Sequence, residues 1–396
     1  MLASCLDSRH NGVTTELRTR MQNRPSKRVH GRGAAKNPPN RFEPIRFEPD
    51  PEGTVEQEVS PKTQFFRDVS RNIISRNDSP DIPYEISLNP YRGCEHGCAY
   101  CYARPTHEYL GWSCGLDFET KIVVKHDAAK LLRETLSDPK WEPRPLTLSG
   151  VTDPYQPAER HFRITRACLE VLAEFRHPVC IVTKNHTVTR DLDLLQELAR
   201  YQAVLVEISI TTLDTDLASR LEPRTSRPAL RLQAIETLAS HGIPVGVLVA
   251  PIIPGLTDHE IPAILQAAAK AGACWAGWSV LRLPYAVKEI FLDWLRTHYP
   301  LRFDRVVHRI QEMRGGQLTD YRFGTRLSGE GPAAERLVQW FDICRRRAGF
   351  REPPPPPSAA HFRSPAPRQL ELFPQLPPCR NPHKPRLPYL GRLPEK

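Results

Sequence analysis

Long apolar runs are scarce in this 396-residue chain, and the nearest approach to one, "IPVGVLVAPIIPGL" from Ile243, is too short and too broken by proline to cross a bilayer. No secretory leader is expected, because "MLASCLDSRHNGVTTELR" is polar throughout and has no apolar core behind a basic start. These absences lead to the expectation of a cytoplasmic protein. Regular cysteine pairing is lacking too: ten cysteines without a leader argue for reduced thiols and a metal site over a disulfide framework. Finally, the body has no net charge. The formal +10 comes from the ends, since residues 1–50 carry ten Lys and Arg against five Asp and Glu, and residues 351–396 carry eight against three. Basic ends on a neutral body suit loose capture of a polyanion or plain solubility, and they do not amount to a dedicated nucleic-acid groove.

What is present is a 40% apolar content, enough for a substantial core. Residues 1–63, with "RPSKRVHGRGAAKNPPN" and "RFEPIRFEPDP", sustain neither a helical nor a strand period and read as a basic, largely disordered arm that adds little core. Residues 351–396 hold 14 prolines, including the run Pro353 to Pro357, and read as an extended tail. Between the arms, apolar runs alternate with amphipathic stretches in the cadence of βα units. The runs are "YEISLNP", "PLTLSG", "PVCIVT", "AVLVEISI", "IPVGVLVAPI" and "ACWAGWSVLRL"; the helical stretches are "HDAAKLLRETL", "ITRACLEVLAEF", "LDLLQELARY", "ALRLQAIETLASHG" and "DHEIPAILQAAAKAG". Six parallel strands with helical crossovers fit a partial barrel or an open doubly wound sheet, which periodicity does not separate. Residues 64–300 are the expected core, and the helical pattern after Leu283 makes 301–350 a cover.

One stretch carries chemistry. "NPYRGCEHGCAYCYARP" places Cys94, Cys98 and Cys101 within eight residues, with no fourth cysteine at a matching spacing. Three thiolates can hold three irons of a [4Fe-4S] cluster and leave the fourth iron open to an exogenous ligand. Structural zinc needs four protein ligands, with His96 or Cys114 completing the set.

The C-x3-C-x2-C spacing of "CEHGCAYC", with Tyr100 before the third cysteine, resembles the signature of the radical S-adenosylmethionine (radical SAM) superfamily. That resemblance implies an α/β fold with a partial (β/α)6 barrel of the TIM type, a [4Fe-4S] cluster on Cys94, Cys98 and Cys101, and S-adenosylmethionine chelated by the unique iron. It also implies reductive cleavage of that cofactor to methionine and a 5′-deoxyadenosyl radical, and an electron donor such as flavodoxin or ferredoxin. "SPDIPYEISLNPYRGCEHGCAYCYARPTH" and "GLDFETKIVVK" resemble the enzymes around spore photoproduct lyase, in the branch called DNA-repair-photolyase-like, over about residues 64–350. By the same likeness Tyr100 packs against cofactor, and Ser149, Gly150, Thr152 and Asp153 lie against its methionine end, although a polar βα loop would hold the same residues. Lys184 and Ser209 fall where ribose and carboxylate contacts occur in relatives. Arg224 matches an arginine that faces the cofactor, or else pairs with Glu222 in solvent. Ile252 and Gly255 match the apolar adenine side, or a proline-stiffened strand end.

The sequence departs from spore photoproduct lyase in having no cysteine at the spacing of that family's downstream hydrogen donor. Cys114, near the cluster loop, is a candidate for the role. Cys168, Cys180, Cys274, Cys344 and Cys379 form no C-x-x-C pair, which argues against relatives with auxiliary clusters. In the tail, "QLELF", Gln369 to Phe373, resembles the linear motif that docks bacterial repair proteins on the replication sliding clamp, with Gln369, Leu370, Leu372 and Phe373 entering a preformed pocket. The expectation is a lyase-like radical enzyme acting on nucleic acid, such as a DNA lesion. Its rivals are a radical enzyme acting on RNA or protein and a clamp-associated zinc module without catalysis.

Overall fold

Runs of valine, isoleucine and leucine become strands, and the amphipathic stretches between them return the chain in the same direction each time. The computed structural model describes residues 28–42, 61–148, 150–350 and 354–364. Its strands are β1 (Gln64–Arg67), β2 (Ile74–Arg76), β3 (Ile86–Leu88), β4 (Tyr91–Arg92), β5 (Lys121–Val124), β6 (Leu146–Leu148), β7 (Val179–Thr183), β8 (Val204–Ser209), β9 (Val245–Ile252) and β10 (Trp275–Val280). The helices are α1 (Leu116–Thr120), α2 (Ala128–Ser137), α3 (Glu159–Phe162), α4 (Ile164–Phe175), α5 (Leu192–Arg200), α6 (Thr215–Leu221), α7 (Pro228–Ser240), α8 (Ile261–Lys270), α9 (Val287–His298), α10 (Phe303–Glu312) and α11 (Gly331–Arg347). Among the described residues no helix is long and apolar enough to cross a membrane.

All six strands expected from the sequence lie in one sheet, in the order β10-β9-β8-β7-β6-β3, parallel throughout, with β2 added antiparallel on the outer side of β3. The end strands β2 and β10 are not paired, so the barrel is partial. Residues 320–328 span the seam instead. Val280 at the end of β10 donates its N–H to Leu327 O (2.8 Å), while Arg326 pairs with Asp81 (2.5 Å) and Gly324 N donates to Asp81 Oδ1 (2.7 Å) beyond β2.

Alternation along the strands gives the sheet two different faces. Val179 and Ile181 of β7, Val204, Val206 and Ile208 of β8, and Val245, Val247 and Val249 of β9 pack with Leu132, Leu172, Leu198, Leu238 and Leu265 from the helices. Each such side chain, fully buried, contributes about 1.5–3 kcal/mol. Cys180, Val182, Glu207, Leu248 and Ala250 alternate with that set, stay outside the core, and line the concave face.

A second sheet of β1, β5 and β4 stands beside the first. It has no counterpart in the sequence reading, because strands of two and four residues are too short to show a period. Helices α9 and α10 share one hydrophobic cluster with the cysteine loop, through Phe291, Trp294, Val306 and Ile310 packed with Cys98, Ala99 and Tyr100.

The arms depart from expectation in two places. Within residues 1–63, the stretch 28–42 is packed on the body, with Arg32, Gly33 and Ala34 buried. Within 351–396, residues 354–364 are docked: Arg363 N donates to Phe175 O (2.9 Å), Ser358 N to Gln202 O (2.7 Å), and the Phe362 ring lies 5.7 Å from that of His177. Neither stretch needs a period, since each is held by backbone hydrogen bonds and a few buried groups. The tail motif Gln369–Phe373 lies outside the described residues.

Candidate cofactor site

β4 leads directly into the cysteine loop, whose backbone is tied down along its length. Cys94 N donates to Phe118 O (2.9 Å), Ala99 N to Leu221 O (3.0 Å) and Cys101 N to Cys98 O (3.2 Å). Gln156, on the loop after β6, accepts from Glu95 N (3.0 Å) and donates to Gly93 O (3.1 Å). Beneath the loop, Arg104 and Glu119 form an ion pair at 2.5 Å with neither side chain exposed. Arg104 also donates to Cys98 O through Nε and Nη2 (3.0 and 2.9 Å) and to Gly115 O (2.9 Å). Such a buried pair is stable only when its remaining donors and acceptors are satisfied.

Residues 28–42 complete that satisfaction as a strap across the loop. Gly33 N and Ala34 N donate to the two Glu119 carboxylate oxygens (3.1 and 2.8 Å), and Arg32 Nη1 donates to Glu119 O (2.9 Å). Backbone approaches backbone so closely that a Cβ on Gly33 would lie 1.7 Å from Gly97 O. Only glycine fits there.

Along this clamped loop Cys98 packs with Ala99 and Tyr100, Cys94 with Ala103 and Phe118, and Cys101 against both groups. Burial pushes all three thiols up from the usual thiol range, and each lies in another's field: Cys98 and Cys101 raise Cys94, and Cys101 raises Cys98, while Lys184 opposes the shift at Cys98 and Cys101. Buried thiolates need a compensating cation, which a bound metal supplies. Among the described residues no group of three or more His, Cys, Asp or Glu closes on one point as a single ion requires. Soft sulfur donors that share one field without meeting at a point fit a polynuclear iron–sulfur cluster. The zinc alternative fails on this geometry. His96 is engaged by Asp153 (3.4 Å) and Asn185 (3.3 Å), and Cys114 packs apart in an apolar cluster with Ala34, Leu116 and Ile290. Burial, and then Glu108, push the Cys114 thiol up to about 12, which keeps it protonated in its apolar cluster.

Of the other residues singled out in the sequence, several converge. Tyr100 is buried, and its hydroxyl meets Glu222 and Thr211. Glu222 in turn accepts from Arg231 and lies 3.8 Å from Lys184 Nζ. Burial alone would raise this carboxyl, but the Arg231 and Lys184 cations and the Tyr100 hydroxyl outweigh it and bring it down to about 2. Lys184 Nζ donates to Ala250 O (2.9 Å) across the strand ends. Asp153 accepts from Thr183 Oγ1 (2.7 Å) and from the Tyr155 and Lys184 amides (2.9 and 2.7 Å), so it knits two loops together; burial opposes its ionisation, but His96 and these donors hold it below the usual range. Thr152 Oγ1 donates to Tyr91 O (3.0 Å), and Gly150 O accepts from the half-exposed Tyr102 hydroxyl (2.8 Å). Ser149 lies outside the described residues. Ser209 closes β8 and accepts from Arg231 Nη1 at its carbonyl (2.9 Å).

Three residues are placed otherwise than the sequence suggested. Arg224 pairs with Glu95 (3.2 Å) and not with Glu222. Ile252 packs in the helix-covered core, and Gly255 backs onto α10, where a Cβ would meet Arg309 Cγ at 3.4 Å. Ile253 instead packs with Cys98, Ala99 and Tyr100. Sequence reasoning missed Ile253, Arg104, Glu119, Arg231 and Gln156 because each acts through a partner distant in the chain. Around the strand ends runs a rim of aromatic rings and arginines: the Arg41 guanidinium lies 3.8 Å from the Tyr285 ring and 4.7 Å from Phe42, Tyr285 meets Tyr321 at 5.3 Å, and Arg282 lies 5.7 Å from Tyr102.

Comparison with known proteins bears on this site. A family model described as the radical SAM superfamily matches residues 88–268. An uncharacterized protein of Mycobacterium tuberculosis is 35% identical over 296 residues, covering 74% of this chain and 83% of its own. An uncharacterized protein of Methanocaldococcus jannaschii is 29% identical over 205 residues, 51% of this chain and 73% of its own. Among solved structures, spore photoproduct lyase complexed with dinucleoside spore photoproduct superposes with a TM-score of 0.51 at 18% identity, over 72% of this chain and 78% of that one, a likeness of fold.

Proposed function

The chain belongs to the radical SAM superfamily, and from that premise we propose that it directs radical chemistry at nucleic acid. It is a radical SAM enzyme, and its cofactors are a [4Fe-4S] cluster and S-adenosylmethionine. When bound, the cluster supplies the electron for reductive cleavage of S-adenosylmethionine to methionine and a 5′-deoxyadenosyl radical. Cys94, Cys98 and Cys101 would hold three irons, and among the described residues no fourth thiol acts on them, which leaves the position for the sulfonium cofactor. That convergence is the observation that carries the reading. Arg104 and the strap fix the loop, Lys184 brings positive charge beside the thiolates, and Ile253 and the C-terminal helices exclude water from the loop's inner side.

Three features support nucleic acid as the substrate. The rim interleaves exposed aromatic rings with arginines, which stack on bases and meet phosphates. The solved spore photoproduct lyase complex, of the same fold, holds a dinucleoside. The QLELF motif would tether the enzyme to replicating DNA by effective concentration.

Purified and reconstituted without oxygen, the protein should be brown, with about four irons and four sulfides per chain. Dithionite and S-adenosylmethionine should then yield 5′-deoxyadenosine. Cys98→Ala should lose both the colour and the product, and turnover retained in that variant would refute the ligand assignment.

A further inference from the structure

Next to the cysteine loop, α6, α9 and the start of the strap meet at the surface. Trp294 of α9 is buried there and donates from Nε1 to Arg220 O near the end of α6 (2.8 Å). Its ring lies 5.4 Å from that of His298 and 5.6 Å from that of Tyr299. A shallow depression beside it is lined by Arg28, Gly33, Ala34, Trp294 and His298, so the strap forms one wall. Cations gather on this ground. Burial, and then Arg28 and Arg220, lower the His298 imidazole, while the Arg220 and Arg302 guanidiniums lie 5.7 and 5.9 Å from the Tyr299 ring. Arg28 and Arg302 have no carboxylate partner among the described residues, and Arg220 pairs with Asp216 at 3.8 Å. The other acids nearby are engaged: Asp214 caps α6 through the Asp216 and Leu217 amides, and Asp293 is buried. Arg24 and Lys27 come just before Arg28 in the sequence. Beside the arginines, the turn Pro300–Arg302 holds out Leu301, which is fully exposed.

One residue layer separates this patch from a cluster ligand. Leu221, next to Arg220, accepts from Ala99 N (3.0 Å), and Gly33, in the wall of the depression, abuts Gly97 O. Cys98 lies between those two contacts. Each reductive cleavage draws one electron from outside the chain, and the concave face is where cofactor and substrate would lie, so the electron needs another way in. We propose that the patch of Arg28, Arg220, Arg302 and Leu301 docks an acidic one-electron carrier protein whose carrying group is a flavin. The arginines steer the acidic partner and set its orientation. Leu301 meets the apolar edge of the flavin ring, a contact for which a phosphate backbone has no use. In the transfer the carrier is oxidised by one electron and the cluster reduced by one, and no bond forms or breaks. This inference rests on a cluster held by Cys94, Cys98 and Cys101, and it is independent of the substrate.

The test uses cluster-loaded protein, kept anaerobic, with flavodoxin as the probe. Calorimetric titration should give a complex that weakens from low to physiological salt, and stopped-flow absorbance should show reduced flavodoxin bleaching the iron–sulfur band. Arg220→Glu combined with Arg302→Glu, and Leu301→Asp separately, should each weaken the complex about tenfold or more and slow reduction by flavodoxin, because each sets like charges against one another across the interface. Dithionite needs no docking surface. With it, both variants should form 5′-deoxyadenosine at the wild-type rate, which shows that they are folded and loaded. Variants that bind flavodoxin and take its electrons as wild type does would overturn the surface, and so would variants that keep flavodoxin but lose a labelled oligothymidylate. A ferredoxin bound more tightly than flavodoxin would overturn the choice of a flavin carrier. No complex with wild type, while dithionite still drives turnover, would overturn the proposal and leave the cluster standing; no 5′-deoxyadenosine with dithionite would overturn the cluster as well.

Discussion

Glu222 shows what single residues contribute to this site. Its carboxylate is buried among Arg231, Lys184, Thr211 and Tyr100, and removing its charge strands Arg231 in a place without water. Glu222→Gln should cost about 3–5 kcal/mol in urea unfolding of the metal-free protein, the usual consequence of breaking a buried pair; a loss under about 1 kcal/mol would mean that the network is not fixed in place. Glu207 behaves in the opposite sense. Its native carboxyl titrates at about 7 against an ordinary 4.5, so between those values the folded state holds a proton that the unfolded state releases. Stability of wild type relative to Glu207→Gln should therefore fall as pH rises from 4.5 to 7, and parallel pH profiles for the two would contradict it. The cysteine triad was legible in the sequence because its three members are neighbours in the chain. Tyr100 and Glu222 are 122 residues apart, and Arg104 meets Glu119 from 15 away, so nothing local marks either pair.

At the scale of elements, the six strands of the main sheet could be read because β-branched residues fill them and helices of regular length separate them. β4 and β5 could not, although β4 aims the cysteine loop. The strap was harder still, since its contacts are backbone amides and one glycine, which leave no hydrophobic pattern. Gly33→Val should lift the strap, because the added carbons collide with Gly97 backbone. Limited proteolysis should then cut within residues 28–42, and iron should leave the reconstituted protein several-fold faster. An unchanged cleavage pattern would show that the strap yields without detaching.

For the whole molecule, residues 354–364 close the end of the fold remote from the cysteine loop. Phe362 covers His177, which donors and acceptors on Trp141 and Pro178 also engage, and burial brings its imidazole down to about 4. A histidine kept neutral in this way withdraws stability as pH falls from 6.5 toward 4, where the unfolded chain gains a proton that the folded one refuses. A chain ended before residue 354 should let His177 titrate nearer 6.5, as read from its imidazole proton resonance; a value that stays near 4 would assign the burial to Trp141 and the sheet.

The seam between β2 and β10 carries a last consequence. It is held shut by an arginine hooked on an aspartate and a few amide contacts, not by a continuous ladder. A sheet closed at one edge by side chains and single amides can part there without breaking any strand ladder.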